Sequence, residues 1–234
     1  MSVRHWIQRQ LWNKGIFIER TRDPFLDQSL LLGGNAKVIF DGGANQGQTT
    51  ITYQKLFPDA KIYSFEPSPK LFAELNENCR GENIVPLQLA LSEKKETVRF
   101  FEYDLSGYNS FEKCTVDVPT VTAEIFVETT TIDDFCAANG IGAIDILKLD
   151  VQGAEMKALS GAKRMLKESR VRLVFAEVHF SAIYENQCFY HEIAAFLRDF
   201  SLPLFRLYDL RYNKNRRLEY ADAIFCASSL SYEQ

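Results

Sequence analysis

Residues 37–50 read KVIFDGGANQGQTT. Val38, Ile39 and Phe40 make an unbroken apolar run, the mark of a strand buried on both faces. The run ends at Asp41, and the chain then turns through Gly42, Gly43 and Gly47 into a helical segment. Glycines this close together admit backbone conformations closed to other residues and let a ligand approach the main chain. The helix that follows points its free N–H groups at whatever lies over the turn. Strand, glycine loop and helix together form a unit that holds a nucleotide-like ligand.

A dinucleotide fingerprint needs Gly-x-Gly-x-x-Gly, and here Ala44 stands where its second glycine would be. The other template is an acid ending the strand, followed by small residues at alternate positions. Asp41, Gly43, Asn45 and Gly47 fit it. This pattern resembles the first motif of class I S-adenosylmethionine-dependent methyltransferases. The resemblance implies that the loop passes under the methionine part of the cofactor and that the acid serves its ammonium end.

Composition narrows the class. The chain of 234 residues is long enough for a full α/β core, and an apolar content of 46% belongs to a globular chain. A formal charge of −4 argues against a general nucleic-acid binder. No run approaches the roughly twenty apolar residues that span a bilayer, and the start lacks a signal-peptide core. Five scattered cysteines, never spaced C-x-x-C, argue against a disulfide framework or a zinc knuckle and favour a reduced cytoplasmic interior.

Two regions are expected, an amino-terminal helical arm over residues 1–32 and an α/β domain over 33–234. Within the arm, residues 2–12 read as a short helix, either packed over a sheet edge or acting as a lid or as an arm that meets lipid or a partner. Helices are expected over 46–57, 69–79, 133–139, 153–166 and 186–200. Strands are expected over 61–65, 84–91, 96–103, 127–132, 144–149, 171–176, 204–207 and 223–226. Residues 104–122 read as a turn-rich insertion over the pocket, where Tyr108, Asn109, Ser110 and Phe111 are candidate acceptor contacts. A basic loop with Arg211, Lys214, Arg216 and Arg217 reads as a solvated turn.

Alternating strands and helices predict a doubly wound, mostly parallel seven-stranded sheet, which binds ligands at the carboxyl ends of its strands. Polar groups fall at four such ends: Asp41, Glu66, Asp150, and Glu177 with His179. Glu66 follows the adjacent strand, where a carboxylate accepts from both hydroxyls of a ribose. The plain alternative for Glu66 is a surface acid at the start of the next helix. For His179 it is an ordinary buried histidine bonded to a backbone carbonyl.

The segments IFDGGANQGQTT, YSFEPSP, LALS, LKLDVQGAE and AEVH together resemble the FkbM-type methyltransferase family over residues 37–226. The resemblance implies the class I methyltransferase fold and methyl transfer from S-adenosylmethionine to a hydroxyl of a sugar, glycan or related metabolite. It assigns Asp41, Gly43, Asn45, Gly47 and Glu66 to the cofactor and lines the adenine pocket with Ala90 and Leu91. Asp150, Glu155, Glu177 and His179 would face the reacting end. Gln152 stands where many relatives carry Glu, so one acid is absent.

An unactivated hydroxyl must lose its proton as the methyl arrives, so the site needs a base or a metal. His179 is the candidate base, with Asp150 and Glu177 to orient it or to act themselves. The same three side chains make an O,O,N set for Mg or Mn, ranked below the metal-free site. A nicotinamide-dependent oxidoreductase and a non-catalytic cofactor-binding protein are the rival readings. Ala44 and Asp41 count against the first, and the intact acids count against the second.

Overall fold

The structure, a computed structural model, describes residues 23–115 and 119–230, and the helix expected over residues 2–12 lies outside them. It opens with α1 (Pro24–Leu31), β1 (Val38–Gly42), α2 (Gln48–Leu56), β2 (Lys61–Phe65), α3 (Pro69–Asn78) and β3 (Ile84–Leu87). Three strands then stand apart from the main sheet: β4 (Ala90–Leu91), β5 (Thr97–Tyr103) and β6 (Val121–Thr130). The chain returns through α4 (Ile132–Ala138), β7 (Ile144–Leu149), α5 (Glu155–Ser160), α6 (Lys163–Lys167) and β8 (Val171–His179). It closes with α7 (Tyr190–Asp199), β9 (Leu204–Tyr212) and β10 (Leu218–Cys226).

Seven strands form the main sheet in the order β3-β2-β1-β7-β8-β10-β9. Neighbours from β3 to β8 pair in parallel, whereas β10 runs antiparallel to both β8 and β9. Period-two alternation sends successive side chains of each strand to opposite faces. Phe40, Leu147, Val174 and Ala176 pack on one face against residues of α4 to α7 such as Ile132, Leu159, Met165 and Ile193. Ile39, Ile146, Leu173 and Phe175 pack on the other against Leu31 of α1 and Tyr53 of α2. Burying each such side chain contributes about 1.5–3 kcal/mol relative to exposure, so both faces hold the sheet.

Helix starts follow local chemistry. Ser68 caps α3 by accepting from the Leu71 N–H, with Pro69 at the first helical position. Thr131 caps α4 by accepting from the Asp134 N–H at 2.9 Å.

Several expected boundaries are corrected. The strand expected over 84–91 splits, and its last two residues leave the main sheet to pair with Thr129 and Thr130 of β6. That strand begins at Val121 rather than 127, because it pairs antiparallel along β5 from Glu128–Thr97 to Val121–Tyr103. The helix expected over 153–166 breaks in two at Gly161, where a Cβ would stand 2.1 Å from the Ser92 carbonyl oxygen. β8 continues three residues past 176, because β10 pairs with it as far as His179. Both closing strands are also longer than expected, and Arg211 lies in β9. α1 was not anticipated; Asp23 caps it by accepting from the Phe25 N–H at 2.8 Å.

Candidate active site

The glycine loop after β1 is pinned from several sides. Gly43 and Ala44 donate their N–H groups to the Phe65 carbonyl at 3.0 and 2.9 Å. Gly43 has φ +74°, and a Cβ there would stand 1.9 Å from the Asp150 carbonyl oxygen. Only glycine fits that approach. Gly47 has φ +95°, and its missing Cβ makes room for the Cys79 sulfur. Beneath the loop, the Lys148 ammonium donates to the carbonyls of Gly42 and Gly43 at 3.2 and 2.9 Å. The same ammonium stands 3.1 Å from Asp41 Oδ1. Thr50 donates to the other Asp41 oxygen at 2.7 Å. Asp41 is fully buried. It therefore braces the loop from below and does not line the cleft above it.

The cleft lies over the carboxyl ends of β1, β2 and β7. Gly43 and Asn45 line it from the loop, Glu66 and Pro67 from the end of β2, and Asp150 to Gln152 from the end of β7. Leu89, Ala90, Leu91 and Phe100 make an apolar wall, and residues 106–111 of the insertion reach over it through Ser106, Gly107, Asn109 and Phe111. Glu66 is fixed at both oxygens: the Asn45 N–H donates to Oε2 and the Ser68 N–H to Oε1, each at 2.9 Å. Burial pushes its carboxyl up to about 7, against the opposing pull of those two amides and of Lys148. Each Glu66 oxygen retains acceptor capacity for a ligand hydroxyl.

At the other end, the DVQG turn after β7 carries Gln152 at φ +53° and Gly153 at φ +90°. Gln152 donates to Asp150, accepts from the Tyr184 hydroxyl at 2.6 Å, and offers its carbonyl to the Ser110 hydroxyl at 2.6 Å. That last bond ties the overhanging insertion to the turn. Glu155 was expected to face the reacting end; instead it is fully buried and accepts from the N–H groups of Val151 and Gly153 at 3.1 and 3.3 Å. It braces the turn, and burial pushes its carboxyl up to about 7. Glu177 is mostly buried, and burial together with Asp150 holds its carboxyl well above the usual range despite Lys148. His179 is 1% exposed, with Nε2 3.3 Å from Glu177 Oε2.

Gly43, Asn45, Glu66, Ala90, Leu91 and Asp150 thus meet around one cleft. Asp41, Gly47, Glu155 and His179 stand behind it. Asp150, Glu177 and His179 do not come together as the metal set considered above. Among the described residues no three His, Cys, Asp or Glu side chains are grouped as a metal ion requires. Sequence reasoning missed Lys148, whose signal was a lone charge inside the otherwise apolar ILKL run of a buried strand. It also missed Asp222, which sits opposite Glu177 across the β8–β10 pair.

A glycine loop after β1, an acid after β2 and a single reversed strand near the far edge define a class I methyltransferase. A solved structure from Listeria monocytogenes, assigned to the S-adenosylmethionine-dependent methyltransferases, has the same fold. It superposes with a TM-score of 0.53 at 8% identity, covering 87% of this chain and 96% of that one. The chain belongs to the FkbM methyltransferase family, whose Methyltransferase FkbM domain profile matches residues 41–202. It is a methyltransferase that uses S-adenosylmethionine. The 2-O-methyltransferase NoeI of Sinorhizobium fredii is 30% identical over 183 residues, 70% of this chain and 72% of that protein. The 31-O-demethyl-FK506 methyltransferase FkbM of Streptomyces tacrolimicus is 27% identical over 190 residues, 68% and 73% of the two chains. No helix among the described residues is long and apolar enough to cross a membrane.

Proposed function

We propose that this enzyme methylates a hydroxyl oxygen on a sugar, glycan or secondary metabolite. One observation carries the reading: the cleft that holds Glu66 at one end reaches carboxyl groups at the other. Asp150 lies in the lining there, and Glu177 sits beside it with its proton affinity raised. Relatives named for 2-O and 31-O methylation support oxygen as the target.

S-adenosylmethionine supplies an electrophilic methyl on a sulfonium centre. The chain's own residues bind, orient and accept a proton. Glu66 holds the ribose hydroxyls, and the backbone of Gly43 to Asn45 holds the methionine part. Asp41 supports that part from beneath the loop together with Lys148, and Gly47 sets the start of α2. Ala90 and Leu91 flank the adenine. Glu177, rather than the enclosed His179, takes the acceptor proton, with His179 behind it and Asp150 alongside. Burial raises the proton affinity of the Glu177 carboxylate, which makes its ionised form a stronger base than an exposed carboxylate.

The test is parallel calorimetric titration with S-adenosylmethionine, S-adenosylhomocysteine and NAD, followed by turnover on hydroxylated acceptors. The first two bind and NAD does not; NAD binding alone would overturn the assignment. Glu66→Ala abolishes cofactor binding, whereas Glu177→Gln keeps it and loses turnover. Turnover survives chelation by EDTA, and its loss would restore the metal reading.

A further inference from the structure

We infer that the acceptor sits on the β8–β10 side of the cleft, between Tyr108 and Tyr220 over Glu177 and Asp222, and that this seat takes an uncharged sugar by two neighbouring hydroxyls. This rests on the methyl-transfer reading above.

The sheet register places these groups together. Glu177 pairs with Asp222 and His179 with Tyr220 across β8 and β10, so all four side chains project from one face. Lys148 pairs with Phe175 on β8, two residues before Glu177, which puts the Lys148 ammonium on that same face. The charged groups around Asp222 are Lys148 from β7, Asp150 beyond it, Glu177 from β8 and Asp209 from β9. Burial, then Asp150 and Glu177, push Asp222 up to about 7. The Tyr220 phenol is raised by burial, by Glu177 and by Tyr108, and Glu177 is also among the groups raising Tyr108. The tyrosine of the insertion and that of β10 therefore share one neighbourhood with the two acids.

A second observation points to a ligand there. His179 is 1% exposed, and neither ring nitrogen has a hydrogen-bond partner. Its Nε2 lies 3.3 Å from Glu177 Oε2 without the alignment of a hydrogen bond, and its ring lies 6.0 Å from Tyr184 and 6.2 Å from Tyr220. Buried polar groups are nearly always bonded. An orphaned imidazole against a carboxyl, with two tyrosine rings close by, marks a network that a hydroxyl-bearing ligand completes.

The chemistry of the seat selects the ligand. Carboxyls accept from adjacent hydroxyls, and phenol rings lie against the C–H face of a sugar. Asp150 repels a carboxylate or phosphate, Glu177 and Asp222 supply hydroxyl-binding oxygens and no cation to pair with one, and Lys148 is engaged by Asp41 and the loop carbonyls. In the transfer, a lone pair on the acceptor oxygen forms the O–CH3 bond. The electrons of the C–S bond stay on sulfur, which leaves S-adenosylhomocysteine. The hydroxyl proton passes to the Glu177–Asp222 carboxyl pair and from there to solvent.

Saturation-transfer NMR on the S-adenosylhomocysteine complex tests the seat with methyl glucoside, methyl galactoside, methyl fucoside and methyl glucuronide. At least one neutral glycoside gives transfer, several-fold above the glucuronide, and the signal falls at least fivefold in Tyr220→Ala and in Asp222→Asn. Asp222→Asn is nearly isosteric, so it keeps the test open if Tyr220→Ala fails to fold. Calorimetric binding of S-adenosylhomocysteine is unchanged in both variants. The seat is overturned if no neutral glycoside gives transfer to the complex, if the glucuronide is preferred, or if folded variants keep full signal. If S-adenosylhomocysteine itself does not bind, the cofactor reading beneath the proposal fails instead.

Discussion

Replacing Lys148 by Met removes the only ammonium under the glycine loop among the described residues while keeping its hydrocarbon stem. Nζ stands 3.1 Å from Asp41 Oδ1 and also donates to two loop carbonyls. At that separation and an effective dielectric near 20, the attraction is about 5 kcal/mol before desolvation is subtracted. Removing one partner of such a buried pair costs about 3–5 kcal/mol, because the remaining charge is stranded. For a chain of this size the midpoint of thermal unfolding falls by roughly 6–20 °C. Urea unfolding of wild type, Lys148→Met, Asp41→Asn and the double variant gives the coupling directly. The double variant is less destabilised than the two single changes summed, by at least about 2 kcal/mol. Burial lowers the proton affinity of Lys148, but Asp41 and Asp150 together hold it above 10.5. The contribution that depends on the Lys148 charge is therefore present below that pH and is lost as pH rises past the raised value. Additive effects, or a Lys148→Met loss under about 1 kcal/mol, would refute the argument.

Gly43→Ala must place a Cβ 1.9 Å from the Asp150 carbonyl oxygen at φ +74°, so the β7 turn has to move. Strain of about 1–2 kcal/mol from the left-handed backbone adds to that clash, and cofactor affinity measured by calorimetry falls at least tenfold. Glu66→Gln keeps the shape and loses the charge; cofactor binding weakens roughly tenfold to a hundredfold, since hydrogen bonds to charged groups contribute about 1.5–3 kcal/mol. Glu155 is raised from 4.5 to about 7 in the folded state, so its stabilising effect is complete below about 4.5 and gone above about 7. Across that window Glu155→Gln removes up to about 1.4 kcal/mol per pH unit of declining stability, seen by comparing chemical unfolding at pH 5 and pH 7.

The sheet was legible because buried parallel strands announce themselves as short apolar runs ending in polar residues, as β1, β2 and β7 do. The start of β6 was not, because its first half alternates exposed and half-buried residues and owes its form to pairing with β5. The same holds for the last residues of β8, which are strand because Tyr220 to Asp222 of β10, distant in sequence, pair with them as far as His179. Helix α5 ends for a reason no window shows: Gly161 passes the Ser92 carbonyl, distant in sequence. At the site, glycines and acids gave their positions through spacing, but not which way they point. Asp41 shares the strand-end pattern of Asp150, Glu155 opens the helix that follows it, and only packing turns both inward. Lys148 was invisible for the same reason, since one lysine in an apolar strand acquires its partners from β1.

The strand furthest along the described chain, β10, is not at the sheet's edge: it lies between β8 and β9. Asp27 of α1 accepts from Arg206 at 2.6 Å and from the Tyr208 hydroxyl at 2.7 Å, both on β9. A chain emerging from the ribosome can therefore assemble the parallel half, but the flank of β8 stays bare until β10 has been made. Asp150 and Glu177 come with the parallel half, and Asp222 arrives later with β10. A release even a few residues short of Cys226 would leave a protein with its nucleotide cradle formed and an adhesive strand edge exposed.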